Sequence, residues 1–507
     1  MGDGVSVKPE AWTTATGFSD LRTWLERFEA AGELRRIRAE VNWDREVGAI
    51  ARRSFTSKGP ALLFENIKDH QSTLCTKLAT ALLHKRARLA MVLGFPPDVT
   101  VKDLVQYVRR KNREAVAPVE VKTGPVKERI VRGKDVDLYQ FPVPRWHFRD
   151  GGRYLLTFAG IVTRDPDSGG LNMGVYRGML GQCNTIPMLI VAGQHGGQTF
   201  SKYRQRNRPM PVAAVIGYDP IMEFLAGSPV PAGVCEYDVM GAYRGEPLQL
   251  VRCETYDLLV PAGAEIVLEG YIDPNPGTFE TEGAFGEYTG HTGDVPTLRP
   301  VFKVECITHR ADPILRGTQE GTLPGSYNEN SMMSSIQRAA IAWNILEQQG
   351  VPGVTNVHVH PVTNGTNICV AVNKRYQGHA QQVAAALWGS GAAQWRYKHV
   401  IVTDDDINIS DYEQLDWAIA YRVNAGKEDI VIFPGSFGSP ADPSSPLEER
   451  NVGKLGSGIW NRVLIDATRT WMYDPRPEWG GRFPPTVHPA PEDEALVERR
   501  WAEYGWE

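Results

Sequence analysis

Between residues 120 and 310 this chain is a series of short β-prone runs cut by Gly and Pro, and that punctuation constrains the fold more than any other feature. The runs at 154–162, 187–191, 211–216 and 265–267 are short for helices and rich in residues that suit a pleated surface. They predict a β-rich domain, a sheet or split barrel. On either side the hydrophobic period changes. Before this stretch, Leu21, Trp24, Leu25, Phe28 and Leu34 share one helical face of 20–34, with Ser19 as the expected N-cap and Gly32 near the C-terminal end. After it, Met332, Ile336, Ala339, Ala340, Trp343 and Leu346 form an apolar stripe along 331–349, a long helix that Gly350 stops. Strands at 356–360, 367–372, 399–403 and 429–433 then alternate with helical patterns at 379–388 and 412–423, as in a compact α/β unit.

The expected architecture is a multidomain α/β protein, since 507 residues exceed one ordinary core. It divides into an N-terminal α/β segment (1–118), a β-rich domain (119–325), a linker helix (326–350), a C-terminal α/β domain (351–475) and a C-terminal arm (476–507). A net charge of −5 supplies no electrostatic reason for a nucleic-acid partner, and the basic runs at 109–113 and 202–208 read as solvated faces. The six cysteines include no Cys-x-x-Cys pair, which argues against zinc sites and disulfide frameworks and for a reducing cytoplasm. No apolar run reaches the roughly 18 to 20 residues of a membrane span. The opening MGDGVSVKPEAW lacks a basic region followed by an apolar stretch, so export is not expected.

Nucleotide and zinc-protease signatures are missing: no G-x-G-x-x-G follows a strand, Gly426-Lys427 is followed by Glu428, and no H-E-x-x-H occurs. What remains is a set of polar residues in apolar surroundings. Asn172 and Arg177 lie in LNMGVYRGM, Gln194 and His195 in VAGQHGG, Glu236 in PAGVCEYD, and Glu282 and Glu287 in EGAFGEYTG. A spacing of five aims two side chains apart on either regular element, so the two glutamates converge only if the loop bends. Gly283 and Gly286 are expected at positive φ, with the loop folded around Phe285. Carboxylates so gathered have their pKa values pushed apart, and a nearby guanidinium decides which stays ionised. The same residues also read as a structural ion-pair cluster. Asp404, Asp405 and Asp406 read as turn and cap residues at a strand end; His358 and His360 could share a strand face, but no third metal ligand is evident near them.

In order and spacing these motifs, with KHVIVTDDDIN at 398–408 and LIDAT at 464–468, resemble the UbiD-like decarboxylases over about residues 18 to 470. The resemblance implies a prenylated FMN cofactor and the reversible, non-oxidative decarboxylation of an aromatic or heteroaromatic acid to CO₂. Loss of CO₂ from an sp² carbon needs an electron sink that side chains do not supply. It further implies that Asn172, His195 and Glu236 hold Mn²⁺ (or Mg²⁺) against the flavin phosphate, with K⁺ close by, and that Thr157, Arg177, Gln194, Pro229 and Lys398 touch the cofactor. Arg177, Glu282 and Glu287 would be the catalytic network: Arg177 orients the substrate carboxylate, Glu282 delivers the proton, Glu287 supports it. The β-rich domain would be a split-barrel flavin-binding domain and the C-terminal domain the seat of a homodimer or higher homo-oligomer, with a flavin prenyltransferase as cofactor supplier. Two other readings stay open: an FMN-binding split-barrel oxidoreductase, which gives Glu282 and Glu287 no role, and a catalytically silent oligomeric scaffold, which gives none to the intact trio. Tyr288 and residues 323–325 are expected to line the substrate pocket. Polycyclic, hydroxybenzoate and heteroaryl acids are all compatible with the sequence.

Overall fold

The computed structural model describes residues 17–505 except 192, 228–233 and 294. Its first helix, Leu21–Ala30, buries Leu21, Trp24, Leu25 and Phe28, the face that the sequence marks. Asp20 caps it in place of the expected Ser19: the Asp20 carboxylate accepts the Thr23 N–H at 2.9 Å, whereas the Ser19 N–H is drawn 3.1 Å to Asp219. Strands Leu34–Ile37, Ala61–Phe64, Lys77–Thr80 and Ile314–Arg316 form a mixed four-stranded sheet in that order, so a strand from beyond the β-rich stretch completes the N-terminal sheet.

The β-rich stretch forms an antiparallel sheet of seven strands. Along it run Thr185–Pro187, Val301–His309, Ile266–Ile272, Met210–Ile216, Gly160–Arg164 and Leu171–Val175, and Arg129–Arg132 also pairs with Val301–His309. Its first and last strands do not pair in a ladder, so among the described residues the sheet does not close into a barrel. Two expected strands change. The run 154–162 is two strands: Tyr154–Leu156 pairs with Gly178–Met179, while Gly160–Arg164 joins the large sheet, and the chain switches partners between them. The run 187–191 contributes only Pro187, at the end of Thr185–Pro187. Two helices, His195–Gln205 and Glu236–Arg244, begin on residues that the sequence singled out.

The helix expected at 331–349 spans Glu329–Gln348, where Asn328 accepts the Ser331 N–H at 2.9 Å and starts it two residues early. It packs on helix Val101–Lys111 and on strand Val354–His358. The C-terminal sheet runs Val354–His358, Asn367–Val372, His399–Asp404, Gly458–Ala467, Ile430–Gly438, with parallel pairing at its centre and helices His379–Trp388 and Tyr412–Arg422 between strands. In the arm, helix Pro491–Arg499 buries none of its residues.

Arg316 ties these parts together. Fully buried, it donates to both oxygens of Glu223 at 2.9 and 2.8 Å and to Glu329 at 2.6 and 3.1 Å. Glu329 also accepts the N–H groups of Ala81, Leu82 and Leu83. Burial pushes Glu223 up to about 7 despite its guanidinium partner. Removing the cation strands two buried carboxylates, so Arg316→Met is expected to cost about 3–5 kcal/mol. The check is the midpoint of urea unfolding: a large fall is predicted, and a wild-type midpoint would show that the cluster does not hold the fold.

Candidate active site

Strand Leu171–Val175 delivers Arg177 toward the loop after strand Glu280–Glu282. Arg177 Nε donates to Glu282 Oε1 at 2.8 Å, its Nη2 to Glu282 Oε2 at 3.2 Å, and its Nη1 to Glu287 Oε1. One guanidinium therefore bridges both glutamates. Burial alone would lower Arg177, but the Glu287 and Glu282 carboxylates outweigh it and hold the side chain charged. Glu282 is 1% exposed. The Tyr154 hydroxyl lies 2.8 Å from its Oε1 and 3.0 Å from the Ala284 carbonyl, and burial, then the Glu282 charge, push that phenol well above its ordinary range.

The loop bends differently from the expectation. Gly283 has φ +107°, but Gly286 is not at positive φ; a Cβ there would meet the His147 ring at 2.5 Å, so Gly286 is required for close approach. Phe285 is buried. It lies under Arg177, whose guanidinium carbon is 4.7 Å from the ring centre, and against Tyr154 at 4.5 Å. Asp150 pins the turn by accepting the Gly286 and His147 N–H groups at 3.0 and 2.9 Å.

The second cluster stands where two helices begin. Asn172 Oδ1 and His195 Nδ1 are 3.2 Å apart, and Glu236, 3% exposed, accepts the Met173 N–H at 2.9 Å. Gln194 occupies the N-cap position of helix His195–Gln205. Burial pushes Glu236 up to about 7, more than the Met173 N–H pulls it down. The Asn172 amide nitrogen is buried with no acceptor at bonding distance among the described residues, though the Tyr176 hydroxyl is near enough to interact with it. No three His, Cys, Asp or Glu among the described residues gather as a metal site, and this trio holds only two of those types. An amide oxygen, an imidazole and a buried carboxylate in want of a cation nevertheless fit a hard divalent ion, and the two helix N-termini fit a phosphate. Lys398 sits in other contacts: it donates to Asp442 at 2.8 Å and to Ser444 at 2.5 Å. Thr157 accepts the Thr318 N–H at 2.9 Å, and Pro229 lies outside the described residues.

Two cavities flank the glutamate pair. One, of about 120 Å³, is lined by Thr157, Arg177, Glu223, Phe285, Glu320 and Asn330 among others, with room for a small ring and not for a whole nucleotide. The other, of about 340 Å³, has Glu287 and Gly286 on one wall and Arg45, Arg52 and Phe148 on another. Leu323 lines the latter, while Tyr288 donates to Ser439 at 2.8 Å. The remaining motifs are engaged structurally. Asp406 pairs with Arg422 at 2.7 Å and with Arg469, and Asp404 accepts the Arg469 N–H at 2.7 Å. His358 Nε2 and His360 Nδ1 are 3.2 Å apart, and burial lowers them to about 3 and about 4. Tyr154, Asp150 and His147 were not singled out from the sequence; nothing in their local pattern marks them, because each reaches the loop through the fold.

Family models describing the N-terminal, Rift-related and C-terminal domains of 3-octaprenyl-4-hydroxybenzoate carboxy-lyase match residues 25–108, 117–323 and 330–467. Among solved structures, the UbiD-class enzyme HmfF from Pelotomaculum thermopropionicum, in complex with FMN, is 31% identical over 95% of this chain and 100% of its own, with a TM-score of 0.80. The vanillic acid decarboxylase of Sedimentibacter hydroxybenzoicus in its closed form is 29% identical over 97% and 100%, with a TM-score of 0.84. An evolved dimeric form of HmfF in complex with prFMN is 29% identical over 95% and 99%, at 0.77. The chain belongs to the UbiD family. It is an enzyme, a carboxy-lyase. No helix among the described residues is long and apolar enough to cross a membrane.

The state of Glu236 is open to a direct check. Its folded-state pKa of about 7 stands above the ordinary 4.5, so its contribution to stability is fully present below pH 4.5 and is lost as pH rises toward 7. Stripped of divalent ions, Glu236→Gln should therefore match wild type near pH 4.5 and melt higher at pH 8, by an amount on the order of 3 kcal/mol. Mn²⁺ should stabilise wild type and not the variant. Equal melting at pH 8, or equal stabilisation by Mn²⁺, would contradict the reading of this carboxylate as a cation ligand.

Proposed function

We propose that this protein catalyses the reversible, non-oxidative decarboxylation of an aromatic or heteroaromatic carboxylic acid with prenylated FMN. The observation that carries this reading is the single guanidinium of Arg177 shared by Glu282 and Glu287 beside a cavity. A paired acid/base unit is what replacement of CO₂ by a proton requires, whereas an FMN-dependent hydride transfer has no use for it. The bound cofactor supplies the electron sink for the carbanion that CO₂ leaves behind. Asn172, His195 and Glu236 would hold Mn²⁺ or Mg²⁺ at its phosphate, with K⁺ nearby, and Thr157 and Gln194 would contact it, joined by Pro229 and Lys398 on the family resemblance. The seven-stranded sheet is read as an opened split barrel, and helix Glu329–Gln348 as the link to the C-terminal domain.

Within the pair the geometry divides the labour. Glu282 sits at a strand end with Arg177 on both oxygens and the Tyr154 hydroxyl on one, so both of its oxygens are already engaged by donors within the protein. Glu287 has Arg177 on one oxygen and forms part of the wall of the larger cavity. These contacts favour Glu287 over the expected Glu282 as the acid that protonates the vacated carbon, with Glu282 and Tyr154 orienting Arg177. A substrate carboxylate reaching Nη1 of Arg177 would compete with Glu287 for it, so binding itself would release the acid. Homo-oligomer formation is supported by the sheet edge Ile430–Gly438, where Ile432, Phe433 and Phe437 stand exposed.

Two experiments test this. Protein produced without a flavin prenyltransferase should release no CO₂ from a panel of aryl acids, and protein produced with one should; full turnover on plain FMN would overturn the cofactor assignment. In the loaded enzyme, Glu287→Gln should slow exchange of the product's ring proton with D₂O by ~10²- to 10⁴-fold at unchanged flavin content. Glu282→Gln should instead weaken substrate binding along with turnover. Exchange at the wild-type rate in Glu287→Gln, with collapse in Glu282→Gln at unaltered affinity, would return the donor role to Glu282.

A further inference from the structure

Among the described residues that line the larger cavity, two arginines, Arg45 and Arg52, have no carboxylate of their own. Arg52 is mostly buried; its guanidinium donates to the carbonyl oxygens of Gly321 at 2.7 Å and Glu320 at 2.9 Å and lies over the Phe55 ring at 5.6 Å, and although the Glu320 carboxylate is near enough to act on it, among the described residues no carboxylate forms an ion pair with it. Arg45 leans on Asp44 at 3.6 Å, but both Asp44 oxygens are already taken by Arg145 at 2.6 and 3.0 Å. Among the described residues, the carboxylate on the wall is that of Glu287, and it is paired with Arg177. A mostly buried cation without a direct ion pair is costly to keep, and an anion in the cavity reduces that cost.

The same walls favour a planar ring. Trp146 and the imidazoles of His147 and His291 line the cavity, and Phe148 stands 72% exposed with the Arg45 guanidinium carbon 5.6 Å from its ring centre. His147 is held by Asp150 and by the Glu320 carbonyl, so it forms a fixed wall. A volume of about 340 Å³ suits a small molecule.

We propose that this cavity is a vestibule that binds an aromatic carboxylate through Arg52 and Arg45, with Phe148 as a stacking surface, next to Glu287 and before the ring meets Arg177. The inference rests on the decarboxylase reading for its ligand class, but its test does not depend on catalysis. Benzoate titrated into flavin-free protein, read by calorimetry, should bind, and acetate should bind more weakly for want of the ring. Arg52→Gln should raise the benzoate Kd by about tenfold or more, since a charge-assisted contact is lost. Arg45→Gln and Phe148→Ala, both at exposed positions where folding is not at stake, should raise it several-fold. In the loaded enzyme the same variants should raise KM and leave kcat near wild type. Unchanged benzoate affinity in Arg45→Gln and Phe148→Ala would overturn the vestibule, as would acetate binding as tightly as benzoate. Failure of the loaded wild type to release CO₂ from any aryl acid would instead sink the decarboxylase reading and leave the benzoate result standing.

Discussion

The site depends on one buried cation holding two carboxylates. Arg177 faces Glu282 at a strand end and Glu287 five residues on, across a loop that neither helix nor strand geometry would bend this way. Phe285 fills the space under the guanidinium, Gly286 lets the loop pass the His147 ring, and Asp150 pins the turn. Each supporting residue acts through geometry and none through charge on the reacting atoms. The two carboxylates end in different surroundings, one locked and one on a cavity wall, and unequal environments separate the roles of an acid pair.

The Asn172, His195 and Glu236 cluster gathers an amide, an imidazole and a buried carboxylate where two helices begin. A buried carboxylate pushed up to about 7 despite the backbone N–H groups of Met173 and of Glu236 itself would be stabilised by a cation beside it. The contrast with Arg316 is instructive. There two buried carboxylates share a guanidinium inside the protein, and the cluster serves the fold; at Glu236, on the proposed reading, a bound divalent ion would supply the counter-charge.

Much of the fold was legible because its hydrophobic periods are long and regular. Helix His379–Trp388 and strand Asn367–Val372 fall on the residues that patterning assigns. Patterning fails where the partner of a segment decides its form. The chain at 154–162 reads as one strand, yet its halves pair with different strands, and Ile314–Arg316 joins a sheet whose other members lie far behind it. In the site, the residue types and order of Arg177, Glu282 and Glu287 were legible, and so was the family that they imply. What was not legible is what touches them: Tyr154 reaches Glu282 from another strand, and Arg52 reaches the cavity from an N-terminal helix, contacts that exist only once the sheets assemble.

The central claim is that Arg177 and its glutamates act as one unit. A double-mutant cycle in the prenylated-FMN-loaded enzyme, Arg177→Lys against Glu282→Gln, measures this through the rate of CO₂ release at matched flavin content. Lysine keeps the charge but not the fork that grips both oxygens of Glu282. If the residues act together, the double variant should be scarcely slower than the slower single variant. Rate losses that multiply independently would contradict the account.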